Sequence, residues 1–189
     1  MKFIEFNLVY FLLYLEIIYF MKQTLKYIYE RLLDSFKMAE TKHSITIALA
    51  SAVIIFGSTF FEQQDILIKT LAAACVAFAL ISILYGFVAL SARRIKLPYD
   101  KKPKKINNMM YYKIIIQFDE YSYVEEMIKR YKFPSSYKPD NLDYDLARQV
   151  IALAKVVNLK YLYFNLSLIF LFLSVMLGIG IIAILGSFL

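Results

Sequence analysis

The chain has 189 residues, the length of one domain, and 60% of them are hydrophobic, above the roughly 45–50% of soluble domains. This composition indicates a membrane protein. The single His and the single Cys exclude a His/Cys metal cluster and an intrachain disulfide.

Residues 3–21 are apolar on every side of a helix but contain Glu5 and Glu16. A carboxylate at the centre of a bilayer costs about 2.5–3.5 kcal/mol, which the apolar neighbours could offset. Residues 1–21 are therefore either an additional transmembrane helix or a helix that lies along the membrane or packs against a partner subunit. A secretory signal is disfavoured, because no small-residue cleavage site follows.

Residues 22–92 are predicted to form an amphipathic cytoplasmic helix followed by a hairpin of two spans. Residues 44–61 and 70–92 carry no charge, and each is long enough to cross a bilayer. No Pro or Gly separates the amphipathic helix from the first span, so one helix is predicted to run through both. The apolar stripe of the amphipathic part follows helical spacing and comprises Leu25, Ile28, Tyr29, Leu32, Leu33 and Phe36.

Residues 93–160 are predicted to form a basic cytoplasmic region. A Pro-punctuated loop precedes MMYYKIII at 109–116, whose aromatic and β-branched residues fit a short strand or the start of a buried helix. Ser122 and Glu125 have the spacing of a capping box at the start of a helix. Asp140 or Asn141 can cap a last helix, whose predicted apolar stripe is Leu142, Leu146, Val150, Leu153 and Val157.

Residues 161–189 carry no charge and are predicted to be the C-terminal transmembrane helix. The predicted fold class is an all-α membrane protein with three to four transmembrane helices and a small, mainly helical cytoplasmic domain formed by membrane-continuous helices. The two cytoplasmic helices, 22–43 and 142–160, are expected to pack on each other and enclose the insert 106–135.

The distribution of Lys and Arg predicts the orientation in the membrane. Five of them lie from Lys22 to Lys42 and fifteen from Arg93 to Lys160, against one in the loop 62–69. Both basic regions should be cytoplasmic, with the loop and the C-terminus outside. The net charge of +7 is then mostly explained by the basic residues that orient the protein in the membrane. No DNA or RNA polymer is expected as a partner.

The polar side chains inside the three uncharged segments are small, and no charge lies among them, so no constitutive ion pathway is indicated. Cys75 is expected to be a packing residue. Gly178 and Gly180 could allow close helix approach. The side chains that could hydrogen-bond across helices are Ser51, Ser58, Thr59, Ser82, Asn165, Ser167 and Ser174.

No catalytic motif is visible: the chain has neither a G-x-x-x-x-G-K-[ST] phosphate loop nor a G-x-S-x-G nucleophile. Its paired carboxylates are typical of solvated helix ends. His43 is typical of a satisfied polar residue at a membrane boundary, with a pH-sensitive site as the alternative. We therefore expect no enzyme activity, no cofactor and no metal.

A basic run between Arg93 and Lys105 lies beside Tyr99, Tyr111 and Tyr112. Lys and Arg bind phosphate, aromatic rings stack on bases, and Asn107 could read a base edge, which would suit a nucleotide. The other interpretation is an anchor that holds the cytoplasmic side in place and contacts lipid headgroups.

The order of these features resembles the membrane effectors of Pycsar antiphage defence. A charged helix enters a span, a second span and a Pro follow, and a short cytoplasmic insert leads to a helix that enters the last span. The resemblance covers about residues 28–180. Its residues are Ala39-Glu40-Thr41-Lys42, Pro98, Met110-Tyr111-Tyr112 ahead of Glu125-Glu126, Asp145-Leu146-Ala147-Arg148-Gln149 and Lys160-Tyr161.

The resemblance implies a multi-pass protein of the bacterial inner membrane that senses a cyclic nucleotide made during phage infection. It would oligomerise or rearrange, permeabilise the membrane and arrest growth. The alternative is a constitutive structural or accessory membrane subunit that binds a partner through its amphipathic helices.

Two sets of residues follow from this interpretation. The candidate ligand-binding residues, for phosphate or base, are Arg93, Arg94, Lys104, Lys105 and Asn107. A charged collar at the membrane boundary, in which Glu40 and Lys42 pair with Lys160 and Gln149, would lock the resting state.

Overall fold

The computed structural model describes residues 2–91, 108–134 and 137–186, with side chains from Tyr19 onwards. Its helices are α1 (Lys2–Ser58), α2 (Ile66–Ser91), α3 (Tyr112–Ile115), α4 (Glu120–Arg130) and α5 (Asn141–Gly186), and these residues contain no strand. Three helical stretches are long and apolar enough to cross a membrane, namely Tyr19–Ser58, Ile66–Ser91 and Asn141–Gly186. The prediction of an all-α membrane protein is confirmed.

Helices α1 and α5 are much longer than a bilayer requires. They contain 57 and 46 residues. At about 1.5 Å per residue, each far exceeds the hydrocarbon thickness of roughly 30 Å. The predicted continuity from amphipathic helix into span is therefore confirmed in both. Residues 3–21 are helical as part of α1, and both interpretations of that segment stay predictions.

The chain divides into two compact units. Unit 1 comprises Met1–Ser35 and Ile95–Asn158, and unit 2 comprises Phe36–Arg94 and Leu159–Leu189. Each of the two long helices contributes residues to both units.

Unit 1 has a hydrophobic core of its own, built from α1, α5, the short helices α3 and α4 and the residues beside them. The α1 side chains in it include Leu25, Ile28 and Leu32 from the predicted stripe. The predicted packing of both amphipathic helices around the insert is confirmed by this cluster. On α5 the buried face lies slightly further round the helix than predicted, so Leu142 is 51% exposed. The α5 core residues are Ala147, Val150, Ile151 and Ala154.

The starts of the short helices depart from the predicted caps. MMYYKIII contains the helix α3 rather than a strand. The cap of α4 is Asp119, whose Oδ1 accepts a hydrogen bond from the backbone N–H of Ser122 at 2.8 Å. The predicted capping box at Ser122 is wrong, because Ser122 is already the third residue of the helix. For α5, Asp140 is the cap.

Unit 2 is a bundle of helix segments whose buried residues recur at alternating spacings of four and three. This is the repeat of left-handed helix packing, and small residues at such positions let backbones approach closely. A Cβ on Gly86 would lie 2.7 Å from Cγ1 of Ile47 on α1. The buried positions of α2 are Ile68, Ala72, Cys75, Ala79, Ser82, Gly86 and Ala89.

Candidate functional site

The predicted ligand-binding residues Arg93, Arg94, Lys104, Lys105 and Asn107 lie outside the described residues. Arg93 and Arg94 follow closely on α2, which ends at Ser91, whereas Lys104, Lys105 and Asn107 lie just before the described Asn108. The segment that holds them therefore connects the end of α2 to Asn108 in the chain.

Lys160 is the centre of a polar cluster in unit 2. It is 1% exposed, which is unusual for lysine unless its charge is paired. Its Nζ donates to Oε1 of Glu40 on α1 at 3.1 Å and to the backbone oxygen of Ala89 on α2 at 3.1 Å. The ring of Phe36 on α1 faces the same ammonium group, with its centroid 4.5 Å from Nζ. One α5 side chain thus contacts both other long helices.

The contact with Ala89 satisfies the end of α2. Ala89 lies in the last turn, where backbone oxygens have no partner within the helix. A cation at this position also interacts favourably with the negative end of the helix dipole. Lys160 therefore caps the helix that leads into the basic segment.

His43 on α1 forms a hydrogen bond with the backbone of Lys160 on α5. Its Nε2 lies 3.0 Å from the oxygen of Lys160, and because that oxygen can only accept, Nε2 carries the proton. The ring is buried and meets Phe164 edge-on at 5.6 Å between centroids. Its Nδ1 has no hydrogen-bond partner among the described residues. These contacts are those of a positioning residue that fixes the level of α5 against α1.

The two remaining residues of the predicted collar, Lys42 and Gln149, belong to different units. Lys42 is half-buried, with Nζ 5.6 Å from the ring centroids of both Tyr161 and Phe164 on α5. Gln149 belongs to unit 1 and is exposed. The contacts that link the helices at this level are made by Glu40, Lys42, Lys160 and residues outside the predicted set.

We call the group Phe36, Glu40, His43, Ala89 and Lys160 the lysine junction. Sequence reasoning missed Phe36, His43 and Ala89 as its members. The partner on α2 is a backbone oxygen, so no side chain could indicate it. The signals available were a His and a Glu three residues apart on one helix and a lone Lys at the start of an uncharged stretch.

Beyond the lysine junction, α2 and α5 are joined by pairs of small polar side chains. Oγ of Ser82 donates to the oxygen of Ser167 at 2.8 Å, and Oγ of Ser167 donates back to Ser82 at 2.8 Å. Cys75 and Ser174 repeat the arrangement, at 3.2 Å from Sγ and 2.6 Å from Oγ. The predicted cross-helix role of these three serines is confirmed, and Cys75 both packs and bonds.

The other predicted cross-helix residues behave differently. Ser51, Ser58 and Thr59 donate to backbone oxygens of their own chain three or four residues earlier. Asn165 is exposed and makes no hydrogen bond with any residue that the structure describes.

A second polar cluster holds the start of α5 in unit 1. Asp140 and Asp143 each accept the other's backbone N–H at 3.0 Å, which is a reciprocal capping arrangement. The buried Asp143 also accepts the hydroxyl of Tyr137 at 2.6 Å. Nζ of Lys22 on α1 donates to Asp140 at 2.8 Å, and this hydrogen bond lowers the pKa of Asp140. The cluster is structural and ties α1 to α5.

The described residues contain no group of His, Cys, Asp and Glu that could hold a metal ion. Their polar contacts hold helices together rather than surround a cavity. The contacts of the lysine junction join three helices, α1, α2 and α5, at one level.

Comparisons with known proteins identify the family. No curated protein and no solved structure matches the chain. The family model of the Pycsar effector protein domain matches residues 24–187, which cover both units and the lysine junction. Because the match extends over most of the 189 residues, the chain belongs to the Pycsar effector family of antiphage membrane proteins.

Proposed function

We propose that this protein is a non-enzymatic effector of the bacterial inner membrane that senses a cyclic nucleotide during phage infection, assembles with copies of itself, and permeabilises the membrane. The observation that carries the proposal is the effector-domain match over residues 24–187. The basic regions lie in the cytoplasm, where the nucleotide is made, and the loop after α1 faces outward.

The basic segment after α2 is the proposed binding site. Its Arg93, Arg94, Lys104 and Lys105 supply the cations that phosphate requires, and Asn107 supplies an amide for a base edge. The segment follows directly on the last turn of α2, where Ala89 is held by Lys160. A ligand that draws this segment toward itself therefore acts on a helix end that the lysine junction restrains.

The lysine junction is the proposed two-state element. In the resting state Lys160 connects α2 to Glu40, and His43 connects α1 to α5. A nucleotide changes the state only if it binds the released arrangement more tightly than the resting one. By linkage, a mutation that weakens the lysine junction should increase the apparent nucleotide affinity by the same factor by which it favours release.

The binding step is tested on protein purified in detergent. A panel of cyclic mononucleotides and cyclic oligonucleotides should contain one member that raises the midpoint of thermal unfolding. The variant with Gln at Arg93, Arg94, Lys104 and Lys105 should lose this shift. A control variant with Gln at the exposed Lys129 and Lys138 of unit 1 should keep it.

The membrane step is tested in vesicles of phosphatidylethanolamine and phosphatidylglycerol filled with a self-quenched dye. The nucleotide that stabilises the protein should release the dye from vesicles that contain it, and should release none from empty vesicles. If no member of the panel shifts unfolding or releases dye, sensing is wrong and the constitutive structural subunit becomes the better interpretation.

A further inference from the structure

The outward face of α5 in unit 2 carries a regular ridge. Its residues alternate at spacings of four and three, so at 3.6 residues per turn they fall within about 40° of one line along the helix. Ile169, Phe172, Met176 and Ile179 are between 50% and 64% exposed. This outer ridge, which faces away from the buried positions of α5, is Asn165, Ile169, Phe172, Met176, Ile179 and Ala183.

One member of the outer ridge does not belong in lipid. Asn165 is exposed and has no hydrogen-bond partner among the described residues, whereas Ser82, Ser167 and Ser174 are bonded across helices. Asn165 is the fifth residue after Lys160, which places it about 7.5 Å further along the helix. Asn165 belongs to the uncharged segment 161–189 that is predicted to span the bilayer, and acyl chains offer neither a donor nor an acceptor, so an amide in that segment needs a protein partner.

The chemistry of Asn165 selects the partner. A primary amide has two donors and one acceptor, so it can bond reciprocally with a second amide. All copies of one membrane protein insert with the same orientation, and in a symmetric parallel pair each residue therefore meets its own counterpart at the same depth. An asparagine on a ridge with this repeat also fixes the register of two helices, as it does in coiled coils.

We propose that a second copy of this chain packs against the outer ridge, with the two Asn165 amides paired across a symmetric α5–α5 contact. This inference takes from the proposed function only the assembly of copies, and it names the surface. It requires neither nucleotide nor phage.

Cysteine cross-linking in native membranes locates the contact. The native cysteine is first replaced by Cys75→Ser, which puts a hydroxyl donor in place of the thiol donor at that buried position. In this background, Phe172→Cys or Met176→Cys should give a disulfide-linked dimer on mild oxidation. Leu84→Cys on α2 is the matched control, since Leu84 is 62% exposed on a different helix. Equal cross-linking at Leu84 and at the outer ridge would refute the proposed surface.

The role of the amide is measured by energy transfer between labelled copies in vesicles, as the lipid-to-protein ratio is raised. Asn165→Leu should weaken association about tenfold, from the strength of one interhelical hydrogen bond in a membrane. Asn165→Gln should keep part of the affinity. Leucine suits a lipid-facing site, so unfolding should not change, and unchanged association of a folded Asn165→Leu variant would overturn the inference.

These experiments separate the two proposals. Cross-linking at the outer ridge without any nucleotide effect would support the interface and reject sensing. Nucleotide-dependent dye release without cross-linking at the outer ridge would support sensing and reject this interface.

Discussion

Replacing Lys160 with Met removes the centre of the lysine junction while keeping a side chain of similar length. The buried oxygen of Ala89 then loses its described side-chain donor, and an unsatisfied buried group costs about 1–3 kcal/mol. The Glu40 side chain is 40% exposed, so it can return to water at little cost. The contact with Phe36 contributes about 0.5–2 kcal/mol. Removing a buried charge recovers part of this sum, and we expect Lys160→Met to destabilise unit 2 by about 1–3 kcal/mol.

The partner substitution Glu40→Gln should behave differently. It leaves the Lys160 ammonium buried and bonded to neutral groups only. Breaking a buried pair in this way costs up to about 3–5 kcal/mol, and the partial exposure of Glu40 reduces the expected loss to about 2 kcal/mol. In the double variant the unpaired charge is gone, so the combined loss should be smaller than the sum of the single losses by about 1 kcal/mol or more.

The assay is equilibrium or thermal unfolding of the four proteins in one detergent, with membrane insertion checked separately. Lys155→Met is the control, because Lys155 lies on the same helix and forms no ion pair with any described residue. In cells, Lys160→Met should increase toxicity in the absence of a cyclase. If Lys160→Met is as stable as Lys155→Met and the two junction substitutions are additive, Lys160 does not hold the helices together.

Two further substitutions test the units separately. The pKa of Asp140 is lowered in the folded protein, chiefly by the hydrogen bond from Lys22, so its contribution to stability is present above the unfolded pKa near 3.8 and is lost as the pH falls through the folded value. Asp140→Asn should therefore be less stable than wild type at pH 7, by less than about 1 kcal/mol because the ion pair is exposed. This difference in stability should vanish in acid. If the difference stays constant when unfolding is measured across the pH range, the prediction is contradicted. In unit 2, Gly86→Ala should destabilise the protein by about 1–3 kcal/mol, because the added Cβ would lie 2.7 Å from Ile47. Gly180→Ala should not destabilise it, because a Cβ there meets nothing within 4 Å. Equal unfolding midpoints for the two variants would rule out the close approach at Gly86.

The long helices could be predicted because their signals are local. Absence of charge over about 18 residues indicates a span, and periodic apolar residues indicate an amphipathic helix. The absence of helix breakers between the two is enough to predict continuity. The cap of α4 was missed for a local reason too, since Asp119 competes with Ser122 for the same role and stands one residue before the helix.

The lysine junction could be predicted only in part because it depends on contacts between helices. Glu40 and Lys160 could be predicted as a pair because each is a charged residue beside an uncharged stretch. The burial of Lys160 could not be predicted, since a lysine at a membrane boundary usually extends to water. The contribution of α2 comes from the oxygen of Ala89, which every residue possesses, and only the packing of the small residues along α2 brings it within reach.

The packing of unit 2 also bears on the switch proposed for the lysine junction. Along α2 and α5 the helices are joined by serine and cysteine contacts, each of which contributes little in a membrane because alternative partners are available. At the end of α2 the contact is instead a buried ammonium shared between Glu40 and Ala89, which holds only while both partners are in place. A displacement of the α2 terminus would therefore act directly on the contact between Ala89 and Lys160. Under the proposed function, the terminus that leads into the basic segment is therefore where a bound ligand would act on the membrane helices.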